Sequence, residues 1–282
     1  MKKILFYLTP EKFASPFDIT AGYDGGADVV ESYTGITKEE IRNLVYDIIF
    51  PRSPKELNNT AIFIGGHDVN LGEEIAKEVI KNFQGPFKCS VIADPDGSNT
   101  TSAACVAKVK KAIDLKNKNA LILAGTGPVG QRVAYLLKKE GCNVTLSSRK
   151  FEKAEEVCKK IKEIYNIDIT PFAVNNDETA KEAIKNKDIV VATGAAGVQL
   201  LKKEVYENSD VKVLADNNAV QPLGIEGVEA NDDLKEINGK IGIGALAIGA
   251  LKMKLHRKLI EKLFEKKQIF DIEKIYEIAQ SL

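Results

Sequence analysis

Short apolar runs alternate with amphipathic segments along most of the chain. The runs at 4–8, 61–64 and 90–93 have the length of buried strands, and apolar residues at helical spacing follow them. In the second half, strands are predicted at 120–124, 143–147, 168–172, 189–192 and 211–215, with helices beginning near Pro128, Phe151 and Thr179. Because strands that alternate with helices form parallel sheets covered by helices, the pattern predicts the α/β class.

A polar break at 116–119 divides this pattern into two α/β domains. We predict a first domain over residues 1–113 and a second over residues 114–245. After residue 245 the pattern becomes helical, with an apolar stripe at Ile248, Leu251, Leu255 and Leu259 and a final helix at 271–280. We expect these C-terminal helices, residues 246–282, to join the first domain.

A glycine-rich turn follows the first predicted strand of the second domain. Gly125-Thr126-Gly127-Pro128-Val129-Gly130 lies between the apolar run 121–124 and a predicted helix. In the GxGxxG turn of dinucleotide-binding units, the first glycine permits the tight turn, the second lets backbone approach the pyrophosphate, and the third lets helix and strand pack closely. A glycine-rich turn without a ligand is the alternative, but the strand–turn–helix context favours a dinucleotide.

The end of the next strand indicates which dinucleotide binds. It carries Ser148, Arg149 and Lys150, whereas an NAD site usually has an acidic residue there for the ribose 2′-hydroxyl. A guanidinium can hold a 2′-phosphate through two hydrogen bonds, and a neighbouring lysine adds charge. The sequence therefore favours NADP over NAD, with a solvated basic loop as the alternative.

Two further loops follow strands of the second domain, where ligands of open α/β sheets bind. Thr193 and Ala195 stand in the first loop, and Asn217 stands in the second. The small residues of the first loop would let a nicotinamide ribose lie close. Ordinary turn chemistry explains both loops nearly as well.

Composition narrows the possible functions. Forty basic and forty acidic residues give a formal net charge of zero, which argues against nucleic acid or an anionic membrane as the main partner. No apolar run approaches the roughly 18 residues of a membrane span. Four cysteines without CxxC spacing suit a reducing cytoplasm, and only two histidines exclude a multi-histidine metal site. No metal is predicted.

Several longer stretches carry a family resemblance. They are Phe17-Asp18, the glycine-rich stretch 22–28, Gly97-Ser98-Asn99-Thr100-Thr101, the turn 124–130, Arg149-Lys150, and the stretches 222–225 and 251–257. Through these residues, and over nearly its whole length, the chain resembles the NADP-dependent methylene-tetrahydromethanopterin dehydrogenases, some of which accept tetrahydrofolate or NAD. The resemblance implies two α/β domains with parallel sheets, an active-site cleft between them, and a homo-oligomer.

The resemblance also implies the chemistry, which is hydride transfer from the methylene bridge of a reduced pterin to NADP, giving a methenyl cation. Because a nitrogen lone pair can expel the hydride, the step needs no general base. The site must hold the pterin and nicotinamide rings in contact, and it must tolerate the new cation on the pterin. Carboxylates near the pterin would serve the second requirement. Asp18 and Asp24, in the glycine-rich stretch before the first long helix, are the candidates, with turn capping as the alternative.

Three more residues are assigned to the substrate. Asn99 and Thr100 can bond the amide-like edge of the pterin or cap the helix that begins there. The resemblance places Lys252 at the active site, and helical spacing puts it on the same face as His256. Because a cation is repelled by a cationic product, we expect Lys252 to orient the substrate or to pair with an aspartate. His67 fits a surface turn better than a site.

Two other functions are weighed against this one. The first is an NADP-dependent dehydrogenase of other chemistry, of shikimate or amino-acid type, in which Lys252 and Asp24 would mimic the usual proton-accepting pair. The second is a non-enzymatic NADP sensor, which would bind the dinucleotide and need no second pocket.

Overall fold

The computed structural model describes all residues, 1–282, and the chain divides into two compact units. Unit 1 consists of Met1–Thr100 and Met253–Leu282, and unit 2 consists of Thr101–Lys252. The first boundary lies at the start of the helix Ser98–Ala112, earlier than residue 113, and the second lies inside the helix Ala245–Leu263, later than residue 245. Both helices are continuous there, so no polar break in the sequence marks either boundary.

Unit 1 is built on a five-stranded sheet in which every neighbouring pair is parallel. Its strands are β1 (Ile4–Leu8), β2 (Val29–Tyr33), β3 (Thr60–Ile64), β4 (Ser90–Ala93) and β12 (Ile269–Phe270), in the order β12-β4-β3-β1-β2. The helices are α1 (Pro16–Asp24), α2 (Ile41–Ile49), α3 (Val69–Lys81), the end of α9 (Ala245–Leu263) and α10 (Ile272–Gln280). The sequence did not predict the edge strands β2 and β12, because neither is a long apolar run.

Unit 2 contains a seven-stranded sheet in the order β10-β11-β9-β8-β5-β6-β7. The strands are β5 (Asn119–Leu123), β6 (Asn143–Ser148), β7 (Thr170–Ala173), β8 (Ile189–Ala192), β9 (Val213–Asp216), β10 (Asp233–Ile237) and β11 (Lys240–Ile243). The helices are α4 (Ser98–Ala112), α5 (Pro128–Lys139), α6 (Phe151–Tyr165), α7 (Asp177–Ala183) and α8 (Lys203–Tyr206). The α/β class with parallel sheets is confirmed, apart from the antiparallel pair β10–β11.

The order of unit 2 makes β5 the point where the winding of the sheet reverses. The chain proceeds from β5 to β6 and β7 on one side, then returns to β8 and β9 on the other. Ligands of open α/β sheets bind beyond the carboxyl ends of the strands at such a point. The glycine-rich turn follows β5 directly, so the fold places it where a dinucleotide is expected.

Apolar side chains supplied by short runs and helix stripes form the cores. Every residue of β3 is buried, and Ile62 and Ile64 pack with Ile41 and Val45 of α2 and with Val79 of α3. None of the helices combines the length and apolar character needed to cross a bilayer.

The four cysteines are all free and buried. Burial raises the pKa of Cys89, Cys105 and Cys142 to about 12 and that of Cys158 to about 11. Because the thiolate is the reactive form, we expect none of them to react with a dithiobis-nitrobenzoate reagent at pH 8 while the protein is folded. The same assay in guanidinium should release four equivalents. Rapid labelling of the folded protein would contradict this expectation.

Candidate functional site

The glycine-rich turn joins β5 to α5, and its three glycines meet different surroundings. The position of a Cβ on Gly127 has no atom within 4 Å, whereas a Cβ on Gly130 would lie 2.5 Å from the Cα of Gly125. A Cβ on Gly125 would lie 2.8 Å from the Cγ of Leu146. The roles predicted for Gly127 and Gly130 therefore fit the geometry. The left-handed residue of the turn is Ala124, with φ of 51°, so Gly125 is required by close packing rather than by its dihedral angles.

The same turn opens the helix α5 with an anion-binding geometry. Gly127 is the N-cap and no side chain caps it, so the first backbone N–H groups have no partner within the helix. Gln131 donates a hydrogen bond from Nε2 to the carbonyl of Thr126 at 2.7 Å, and Ser102 donates one to the carbonyl of Val129 at 3.1 Å. These bonds stabilise the turn, and the positive end of the helix dipole lies at it.

A cavity of about 220 Å³ lies beside this turn within unit 2. Its lining includes Ser148 and Arg149 of the predicted set; the whole lining is Leu123, Ala124, Ser147, Ser148, Arg149, Val174, Asn175, Asn176, Asp177, Val198, Gln199 and Leu200. Arg149 and Lys150 are exposed, and no acidic side chain pairs with either. Asp177, the acidic residue of the lining, is paired with Lys202. The cavity therefore presents to a ligand a guanidinium, that of Arg149, whose charge no carboxylate neutralises.

The loops after β8 and β9 complete the predicted dinucleotide residues. Thr193 donates its backbone N–H to the carbonyl of Leu123 at 3.0 Å and its hydroxyl to the same oxygen at 3.1 Å, while Ala195 is exposed. Asn217 donates its side-chain amide to the carbonyl of Ala192 at 3.1 Å. The Oδ1 of Asn217 is buried and has no hydrogen-bond partner in the protein. It is therefore a buried acceptor whose hydrogen-bonding capacity the protein does not use.

Two residues that the sequence did not single out hold the loop after β9. The buried Asp216 accepts the backbone N–H groups of Asn218 and Ile225, each at 2.9 Å. Asn218 accepts the N–H of Val220 at 2.9 Å and donates to the carbonyl of Pro222 at 3.0 Å. Burial raises the pKa of Asp216, while its bonds to N–H groups favour the carboxylate. The sequence feature that could have indicated this role is the Asp-Asn-Asn run at the end of β9.

In unit 1, the two predicted aspartates lie on the short helix α1. Asp18 is in the first turn of α1, where the Oγ of Ser15 accepts its backbone N–H at 3.2 Å. Its Oδ2 accepts the hydroxyl of Tyr7 at 3.1 Å. Asp24 ends the same helix and pairs with Arg257 at 2.9 Å. The glycines of 22–28 lie in or just after the last turn of α1.

The start of α4 explains Asn99 and Thr100. The Oδ1 of Asp94 accepts the N–H groups of Asn99 at 2.8 Å and Thr100 at 3.1 Å, and its Oδ2 accepts the hydroxyl of Thr100 at 2.6 Å. Asn99 donates its side-chain amide to the carbonyl of Ala93 at 2.7 Å. Thr100 is fully buried, so the structure places it in the support of the helix start and not at a surface that meets substrate. Asp94, not Thr100, caps the helix.

Replacing Asp94 by alanine should lower the free energy of unfolding by roughly 2–4 kcal/mol, because two N–H groups and one buried hydroxyl lose their acceptor. Urea unfolding of the variant measures the loss. Asp47→Ala is the matched control, since Asp47 is exposed within the helix α2. Equal stability of the two variants would contradict the capping role.

Lys252 lies on α9 and is half-buried. Four residues later, His256 is 1% exposed and stacks on Phe63 with ring centroids 5.3 Å apart. The edge of Phe17, the residue before Asp18, meets the same imidazole at 6.0 Å. His67 is exposed beside Asp96, which confirms the surface turn.

Comparison with known proteins gives matches to both units. A family model for the N-terminal domain of methylene-tetrahydromethanopterin dehydrogenase matches residues 16–96, and one for shikimate/quinate 5-dehydrogenase matches residues 106–218. The chain is 43% identical over 285 residues to the bifunctional protein MdtA of Methylorubrum extorquens, covering 100% of this chain and 99% of the relative. It is 34% identical over 290 residues to the NAD(P)-dependent methylenetetrahydromethanopterin dehydrogenase of the same organism, covering 99% and 98%.

A solved structure extends the comparison to the fold. Shikimate 5-dehydrogenase from Listeria monocytogenes matches with a TM-score of 0.53 and 12% identity, covering 98% of this chain and 96% of that one. At this identity the likeness concerns the fold alone, and the fold agrees with the two α/β units described above.

Proposed function

From the premise that the chain belongs to the methylene-tetrahydromethanopterin dehydrogenase family, we propose that it transfers hydride reversibly from the methylene bridge of a reduced pterin to NADP. It is an oxidoreductase of one-carbon metabolism, and methylene-tetrahydromethanopterin or methylene-tetrahydrofolate is its substrate. The observation that carries the proposal is the glycine-rich turn after β5 together with the unpaired Arg149 after β6. Both lie in a chain that is related over its whole length to a methylenetetrahydromethanopterin dehydrogenase.

The residues of unit 2 fit NADP on two counts. The space at Gly127 leaves room for a pyrophosphate, and the Oδ1 of Asn217 lacks a donor that a carboxamide would supply. The pyrophosphate would be held by the turn, which consists of Gly125, Thr126, Gly127, Pro128, Val129 and Gly130. The 2′-phosphate would be held by Ser148, Arg149 and Lys150. The nicotinamide end would lie near Thr193, Ala195 and Asn217. Bound NADP supplies the hydride acceptor.

On the substrate side, the protein orients the pterin and compensates its charge. Asp18 is a carboxylate already held by Tyr7, so it can face a developing methenyl cation without reorganising. Asp24 is neutralised by Arg257 and contributes less to that field. Asn99 binds the pterin edge, and Lys252 orients the ring. No residue removes a proton in the hydride step.

Steady-state kinetics with both pterins and both nicotinamide cofactors test the proposal. We expect a methenyl-pterin absorbance to appear with NADP and at least one methylene-pterin, with lower kcat/KM for NAD. Shikimate is the control substrate and should give no turnover. If no pterin is oxidised while NADP binds tightly, the chain is a sensor; if shikimate or an amino acid is oxidised instead, the assigned chemistry is wrong.

Location and assembly complete the proposal. The four free, buried cysteines accord with the reducing cytoplasm, which we propose as the site of action. A homo-oligomer stays a prediction from the family and from the prevalence of symmetric assemblies among soluble enzymes. A monomer mass by light scattering at micromolar concentration would contradict it.

A further inference from the structure

The side chain of Tyr7 is buried in β1 and ends against Asp18. It is 1% exposed, and its hydroxyl lies 3.1 Å from the Oδ2 of Asp18. Phe63 stacks on the ring with centroids 5.7 Å apart. On another side, a Cβ on Gly65 would lie 2.4 Å from the hydroxyl oxygen. Packing therefore holds this hydroxyl in one position.

The surroundings also decide which way the hydroxyl proton points. The hydroxyl of Tyr7 donates to the Oδ2 of Asp18 at 3.1 Å. The Asp18 carboxylate can only accept, so the single phenol proton is directed to Asp18. Burial raises the pKa of Tyr7, which therefore keeps this proton across the working pH range.

The backbone and the side chain of Asp18 are held by different groups. The side chain of Ser15 holds the N–H of Asp18, which sets the main chain of the first turn of α1. Asp18 is half-buried, and a carboxylate in that position has several rotamers available. A buried donor at 3.1 Å selects among them.

We infer that Tyr7 is a positioning residue that holds the carboxylate of Asp18 in the orientation in which it meets the pterin. This inference rests on the proposed function and deepens it, since it assigns the orientation of the substrate carboxylate to a residue in β1. Tyr7 does not transfer a proton, because the hydride step moves none. It acts through Asp18 alone.

The test is a double-mutant cycle of Tyr7→Phe, Asp18→Ala and the two together. Loss of the hydroxyl should raise the pterin KM about tenfold, with a smaller change in kcat and an unchanged Kd for NADP. Because Tyr7 acts through Asp18, the double variant should have the KM of Asp18→Ala, whereas independent roles would give the product of the two single effects.

Tyr206→Phe is the matched control. It also removes one buried hydroxyl with one acceptor, the carbonyl of Glu226 at 2.6 Å, but it lies in α8 and is not among the predicted site residues. Its pterin KM should equal that of the wild type. Urea unfolding of all variants separates a loss of stability from a loss of carboxylate positioning. The cycle compares only variants that unfold at a common midpoint or show the wild-type Kd for NADP.

The outcomes are separable. A wild-type pterin KM in Tyr7→Phe, or multiplicative effects in the double variant, overturns the positioning role while the proposed function stands. A wild-type protein that oxidises neither pterin overturns the proposed function, and the inference falls with it. A tenfold rise in KM that vanishes in the Asp18→Ala background supports both.

Discussion

Replacing Lys252 by alanine is expected to lower kcat with the pterin by on the order of a hundredfold, while the Kd for NADP stays at the wild-type value. Lys252 lies on α9. It belongs neither to the glycine-rich turn nor to the residues proposed to bind the 2′-phosphate. If it orients the ring, displacing the pterin by about 1 Å accounts for a loss of this size, and the pterin KM rises with it.

Lys254→Ala is the matched control for this prediction. Lys254 lies on the same helix two residues later and is exposed, so its removal should change neither constant beyond the roughly ±0.5 kcal/mol typical of surface substitutions. Measuring kcat, pterin KM and NADP Kd for both variants is sufficient. An unchanged kcat in Lys252→Ala would remove this residue from the active site and leave Asp18 as the main polar candidate.

Replacing Arg149 by alanine should weaken NADP binding about tenfold to a hundredfold and leave NAD binding nearly unchanged. Charge-assisted hydrogen bonds contribute roughly 1.5–3 kcal/mol, and about 1.4 kcal/mol corresponds to a decade in Kd. Arg149 lines the cavity beside the turn, and no acidic side chain neutralises it. Isothermal titration with both cofactors measures the selectivity.

Two variants sharpen this second measurement. Arg149→Lys keeps the charge but loses the planar fork, so it should recover only part of the NADP affinity. Lys153→Ala removes a cation from the first turn of α6, where Lys153 already pairs with Glu156 at 3.0 Å, and should leave both Kd values unchanged. Equal losses of NADP and NAD affinity in Arg149→Ala would reject the 2′-phosphate assignment.

The dinucleotide half of the molecule could be predicted in most respects from the sequence. Five strands of unit 2 lie within a few residues of their apolar runs, and α5 begins at Pro128 as the glycine-rich turn indicates. The pair β10–β11 was not foreseen, because the β10 residues are mostly polar and exposed, with little apolar alternation to read. The periodicity of apolar residues predicts buried central strands, but it gives little signal for exposed edge strands.

The substrate half could be predicted much less well. The helix α1, to which both aspartates belong, was not predicted, because its short sequence lacks a strong apolar stripe. Thr100 was expected to meet substrate or to cap α4, whereas Asp94 provides the cap and binds the Thr100 hydroxyl. The partners in each case come from other elements or turns, and sequence spacing does not encode them.

The sequence by itself determined the α/β class, the glycine-rich turn, the basic residues after β6 and the family resemblance. These features depend on local backbone preferences, on the period of burial, and on residue types at fixed spacing. Only the tertiary structure decided that Tyr7 holds Asp18, that Arg257 neutralises Asp24, and that the Oδ1 of Asn217 lacks a donor. Such pairings join residues that are distant in the chain, and their geometry exists only once the sheets and helices have packed.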